Sequence, residues 1–130
     1  MSRSNYNDEG DVWDLIRWRG AVASAIKGAR GQQLLSQMAA SLDTMPKKRL
    51  IANSLECSDG VCALGAVGKT RGMDLSGLDP EDPNMIAKAF GVAPALVQEI
   101  AYINDEWNHA TPEKRWQTVR RWVTEQIKTQ

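Results

Sequence analysis

The sequence predicts an all-α protein, a compact single domain of five to six helices with at most a short β-ribbon around residues 49–62. Three observations predict it. Apolar residues recur at spacings of three and four in four segments, and less regularly in two more. Caps, prolines and glycines fall between those segments where helices start and stop. Only "RLIANSLE", residues 49–56, reads β-like, and its alternation is poor. One strand cannot stand alone, so a two-stranded ribbon across Asp59-Gly60 is its only outlet.

The elements follow in order. Residues 1–10 read as a flexible N-terminal segment and 11–130 as the helical domain. Asp11 is a suitable N-cap, Asp14 lies in the first turn, and Leu15, Ile16, Val22, Ala23 and Ile26 keep one face apolar as far as Lys27. Gly20 invites a kink there. "KGARG" punctuates, and a second helix runs from Gln32 to Thr44 on Leu34, Leu35, Met38 and Leu42, with Pro46 to stop it. A third extends from Val61 to Arg71, with Gly72 placed to end it. "MDLSGLDPEDP" is an acidic loop with two Asp-Pro steps. Asn84 to Phe90 makes a short helix closed by Gly91. Pro94 then opens another, with Leu96, Val97, Ile100, Ala101 and Ile103 in a stripe. The last helix has Thr111 as N-cap and Pro112 in first position, with Trp116, Val119, Val123 and Ile127 on one face.

Net charge is zero over 130 residues, but the charges are segregated. Blocks 1–16, 17–72, 73–113 and 114–130 carry −3, +6, −7 and +4. Either the blocks neutralise one another across the folded surface, or they leave a basic face for an acidic partner. No apolar run approaches the ~20 residues that span a bilayer, so no membrane partner is expected. Nor does "MSRSNYNDEGD" resemble an export or organelle signal, and the expected location is cytoplasmic.

One stretch points at a named chemistry. "ALGAVGKT", residues 63–70, fits the loosest form of a phosphate-binding loop. Such a loop needs a buried strand running into a helix N-terminus, whereas "LECSDGVC" before it is polar and acidic. A helix over 61–71 also puts Gly68 and Lys69 at the wrong end of the dipole for a phosphate. The match reads as accidental, with the glycines there for close helix approach. Cys57, Cys62 and the lone His109 make a poor zinc set, so no metal and no cofactor are expected. Cys62 reads as a packing residue rather than a reactive thiolate. Asp105 and Glu106 in "INDEW" are adjacent and point to different helix faces, against paired-carboxylate chemistry. With no catalytic set, the chain reads as non-enzymatic.

Two binding signatures remain. Arg-Trp steps occur at Arg17-Trp18-Arg19, Arg115-Trp116 and Arg121-Trp122. Trp18 and Trp122 lie off the best apolar stripes, so Arg17, Trp18, Arg19, Arg121 and Trp122 are the expected anchors for a protein partner. The alternative is a helix-turn-helix across "PNMIAKAFGVAPALVQEI", residues 83–100, with Gly91 at the turn. In that reading the chain is a DNA-binding regulator of transcription, with Lys88 and Gln98 near the groove and Lys47, Lys48 and Arg49 on phosphates.

"RWRGAVASAIKGARGQQLL", "VCALGAVGKTRGMDLSGLDPED", "IAKAFGVAPALVQEIAYINDE" and "TPEKRWQTVRRWV" together resemble a family of small uncharacterised proteins of tailed bacteriophages and prophages. The resemblance implies a bacterial host cell as the setting and a host or phage macromolecule as the partner. It also implies an accessory role, such as inhibition of a host enzyme or defence complex. It carries over no catalytic residue.

Overall fold

A computed structural model describes residues 12–107 and 109–128. The proposed flexible segment 1–10 and the Asp11 cap lie outside the described residues. Six helices follow in order: α1 Val12–Lys27, α2 Ala29–Thr44, α3 Ala63–Thr70, α4 Pro83–Phe90, α5 Pro94–Asp105 and α6 Pro112–Gln126. Between α2 and α3 a two-stranded antiparallel ribbon pairs β1 (Glu56–Cys57) with β2 (Gly60–Val61), in register Glu56↔Val61 and Cys57↔Gly60.

Helices α2 and α5 carry the core. Leu34, Leu35, Met38 and Leu42 of α2 are fully buried, and α2 packs against α1, α3 and α6. The expected α5 stripe of Leu96, Val97, Ile100, Ala101 and Ile103 is buried throughout, against α1, α3, α4 and α6. Each of these side chains larger than alanine contributes roughly 1.5–3 kcal/mol on leaving water.

Most helix ends are as their sequences require. Asp82 accepts a hydrogen bond from Met85 N at 3.1 Å to start α4, and Gly91, at φ 75°, ends it. Thr111 Oγ1 accepts from Lys114 N at 3.0 Å to start α6. The C-terminus of α2 is closed by a lysine: Lys48 Nζ donates to Met45 O at 2.7 Å, Leu42 O at 3.4 Å and Asp43 O. Its positive charge also meets the negative end of the helix dipole.

Four boundaries differ from expectation. α1 runs through Gly20 without interruption. α2 begins at Ala29 rather than Gln32, so "KGARG" is a corner with Gly28 alone outside helix. Gly31 makes that corner: a Cβ there would lie 1.9 Å from Ala25 O. α3 begins at Ala63, because Val61 belongs to the ribbon and Cys62 is the N-cap, its sulfur accepting from Gly65 N at 3.4 Å. Of residues 49–56 only Glu56 is strand.

The rest of that segment is held by polar contacts from α5 and α6. Asn104 is fully buried at the end of α5. Its Oδ1 accepts from Ala63 N at 3.1 Å, and its Nδ2 donates to Ile51 O at 2.8 Å and Asp105 Oδ1 at 2.8 Å. Asp105 Oδ1 also accepts from Asn53 N at 3.1 Å, where the backbone adopts φ 67°. Arg115 completes the junction by donating to Asn104 O at 2.8 Å and Leu50 O at 3.2 Å. The "INDE" stretch thus joins α3, α5, α6 and the irregular segment.

α6 is rotated from its expected seat. Val119, Val123 and Trp122 are buried, whereas Trp116 and Ile127 are half-buried at the margin. Both α2 and α5 flank α6, so the buried arc is wide and centred near Val119. Trp116 still serves the fold: its Nε1 donates to Leu42 O at 3.2 Å, and the Lys48 ammonium sits 5.5 Å from its ring centre.

Candidate docking surface

The five expected protein anchors do not form one surface. Trp122 is only 7% exposed, so it packs in the core instead of facing a partner. Trp18 is half-buried. Arg19 Nη1 donates to both oxygens of Glu99, at 3.2 and 3.1 Å, and the Glu99 carboxylate is buried in α5. Removing that arginine would strand a buried charge, so Arg19 ties α1 to α5. Arg17 is exposed and pairs with Asp14 one turn earlier. Arg121 is exposed on α6, on an outward side that it shares with Lys114 and Glu125. α1 meets the end of α6 at Lys27, where Lys128 Nζ donates to Lys27 O at 2.6 Å, and Arg17 lies ten residues, about 15 Å of helix, from that junction. Arg120, next to Arg121, forms a two-pronged ion pair with Asp43, Nε to Oδ1 and Nη2 to Oδ2 both at 2.8 Å.

The residues of the DNA-binding alternative are equally dispersed. α4 and α5 meet at a bend of 108°, within the range of a helix-turn-helix. Yet seven of the twelve residues of α5 are buried, and Glu99 lies among them. The five other residues of α5, exposed Pro94 and half-buried Ala95, Gln98, Tyr102 and Asp105, share its outer side, and among them only Gln98 is a good base-edge donor while Asp105 would repel phosphate. Gln98 is half-buried and Lys88 is exposed on α4. Lys48 caps α2, and Arg49 Nη2 donates to Asp59 O at 3.3 Å. Lys47 and Arg49 face an open cleft of about 460 Å³ together with Lys69 and Cys57, not with Lys88 or Gln98.

The loosely matched phosphate motif sits on α3, with Gly68 and Lys69 in its last turn, as the spacing required. Lys69 pairs with Glu56 of the ribbon at 2.5 Å. The glycines serve close approach, but to loops rather than to another helix. A Cβ on Gly65 would lie 2.0 Å from Leu55 O, and one on Gly68 would lie 2.6 Å from Leu75 Cδ2. Among the described residues no group of three or more His, Cys, Asp and Glu could hold a metal ion. No single described helix is long and apolar enough to cross a membrane.

What sequence reading missed is the outer side of α1. Trp13, Leu15 and Ile16 are 69%, 49% and 54% exposed, three of the five large apolar side chains left in solvent among the described residues. At 3.6 residues per turn, Trp13 lies about 180° around the helix from buried Val22, pointing away from the core. Ile16 and Gly20 lie on the same outward side, followed by exposed Ala23 and Ser24. Leu15 lies on the same side of α1 as Val22 and is nevertheless exposed. α1 and α5 run antiparallel: Arg19 pairs with Glu99, and Ser24 and Ala25 share a cleft with Val92 and Ala93. The first turns of α1 therefore lie toward the end of α5 that leads to Trp107, itself 39% exposed. The signal was available, since Trp13 is nine residues from Val22 and cannot share its face.

The described chain is thus a mostly α-helical protein of six helices and a small ribbon, with its exposed apolar side chains gathered largely on α1. No family model, curated protein or solved structure matches it.

Proposed function

We propose that this chain is a non-enzymatic protein-binding module that docks through the outward side of α1. The observation that carries the reading is Trp13, 69% exposed and directed away from the core, with Ile16 beside it. A large aromatic held on a regular helix loses little conformational freedom on binding, and such residues dominate the energetics of protein interfaces. Arg17 borders the pair and supplies a charged rim. The resemblance to bacteriophage proteins supports a host or phage protein as the partner, with inhibition of a host enzyme or defence complex as the consequence.

The test is an affinity purification from bacterial cells with three forms of the chain. The unaltered protein and Arg121→Ala should retain a stoichiometric partner, while Trp13→Ala should lose it and keep its melting temperature. Capture that is indifferent to Trp13→Ala would overturn the assignment of the face. Absence of any stoichiometric partner would overturn the function.

A further inference from the structure

We infer that the outward side of α1 pairs with the same side of a second copy, as an antiparallel helix seam about a two-fold axis. The inference rests on α1 being a docking face and names its occupant. Its outward stripe is uneven: Trp13 and Ile16 are large, and Gly20, Ala23 and Ser24, all exposed, are small. In an antiparallel pair centred at the level of residue 18, Ile16 of each copy sits over Gly20 of the other, and Trp13 over Ala23 with Ser24 next to it. Each large residue then meets a small one, and the contact is self-complementary, as a two-fold interface requires. A parallel pair would instead stack Trp13 on Trp13 and leave a void at Gly20.

Gly20 is the independent observation. It lies inside a continuous helix, does not adopt positive φ, and a Cβ there would meet nothing within 4 Å. Glycine is the poorest helix former after proline, and nothing among the described residues calls for it at this position. A close approach from outside does.

The size is also adequate for a weak dimer. The exposed parts of Trp13 and Ile16 amount to roughly 300 Å² per copy, at the lower end of the patch sizes that mark contact sites. Doubled, and with Arg17, Ala23, Ser24 and Lys27 at the flanks, the seam reaches about 1,000–1,200 Å², the lower edge of specific interfaces. Association should therefore depend on concentration, with a dissociation constant of roughly micromolar order. A different protein that reads Trp13 competes with this self-pairing.

Sedimentation equilibrium of the full chain across a wide concentration series should show a monomer–dimer equilibrium. Gly20→Leu should weaken association at least about tenfold, through the lost close approach, without lowering the melting temperature. Register is read by mixing an Ile16→Cys chain with a Gly20→Cys chain under oxidation, both also carrying Cys57→Ser to remove the exposed thiol. The mixed 16–20 disulfide should dominate; 16–16 and 20–20 products in its place would overturn the antiparallel seam. A chain that stays monomeric at every concentration overturns self-pairing altogether. If Trp13→Ala still abolishes partner capture in that case, the docking face stands and only its occupant is wrong. If capture is unaffected too, both fail.

Discussion

Replacing Asn104 by alanine tests the junction that organises one side of the fold. Its side chain makes three hydrogen bonds from a site with no solvent exposure. The substitution leaves the Ala63 N–H, at the start of α3, without its acceptor, and a buried unpaired donor costs about 1–3 kcal/mol. Ile51 O loses a donor as well, for about 1 kcal/mol more. The expected loss is thus roughly 3 kcal/mol, a large part of a typical 5–15 kcal/mol total. In urea melts followed by far-ultraviolet circular dichroism, with a slope of about 1–3 kcal/mol/M, the midpoint should fall by roughly 1–3 M. Asn104→Asp sharpens the test, because it keeps an acceptor for Ala63 N–H but turns a second oxygen toward Ile51 O and the Asp105 carboxylate. Burial and that like charge raise the new carboxyl's pKa in the folded state, so its deficit against wild type should be greatest at neutral pH and shrink on acidification. An unfolding free energy for Asn104→Ala within about 0.5 kcal/mol of wild type would refute the junction.

Three further outcomes follow from the geometry. Gly65→Ala should cost about 1–3 kcal/mol or more, because the new Cβ strikes the Leu55 backbone carbonyl, whereas Gly68→Ala meets only the movable end of Leu75 and should cost less. In Gly20→Ala the methyl enters open space, and monomer stability should rise by about 0.5–1 kcal/mol in thermal melts at low concentration. Arg121→Ala should be neutral within about 0.5 kcal/mol, and Arg120→Ala should lose up to about 1 kcal/mol because its pair with Asp43 is partly solvated. The Arg120 hydrogen bond, against a smaller opposing effect of burial, holds the Asp43 carboxyl below its ordinary range. That contribution is present above the unfolded pKa of about 3.9 and is lost as pH falls through the lower folded value. The difference between wild type and Arg120→Ala should therefore vanish in acid melts; a difference that persists there would show that packing, not charge, is responsible.

The helices were legible wherever one apolar stripe faces one neighbouring body. α5 is the clearest case, because five apolar residues at helical spacing between Pro94 and Asp105 admit a single buried face. The cap at Thr111 and the stop at Gly91 act locally, so short windows of sequence contain them. The corner at Gly28 was not legible, since Arg30 and Gly31 become helical only when Gly31 closes on Ala25 O across the bend. The irregular path from Leu50 to Leu55 was hidden for a related reason. Its conformation is set by Asn104, Asp105 and Arg115, which lie roughly fifty to sixty-five residues later.

The surface was harder to read than the core, and the Arg-Trp steps show why. An arginine beside a tryptophan looks the same in sequence whether it meets solvent or a buried carboxylate, and Arg19 was settled by Glu99, eighty residues away. Trp122 was placed outside because one stripe was fitted to α6, although the helix lies against both α2 and α5. Trp13 escaped notice for the opposite reason. A tryptophan near the start of an amphipathic helix is readily assigned to its apolar side, but nine residues from Val22 is two and a half turns. Half a turn is the difference between anchoring the core and facing a partner. The same half-turn brings Ile16, Gly20 and Ser24 to Trp13's side and turns three scattered residue types into one stripe with a large and a small end. An unevenness of that kind has no use among the described residues, none of which would meet a Cβ at Gly20. It acquires one only against another helix running the opposite way.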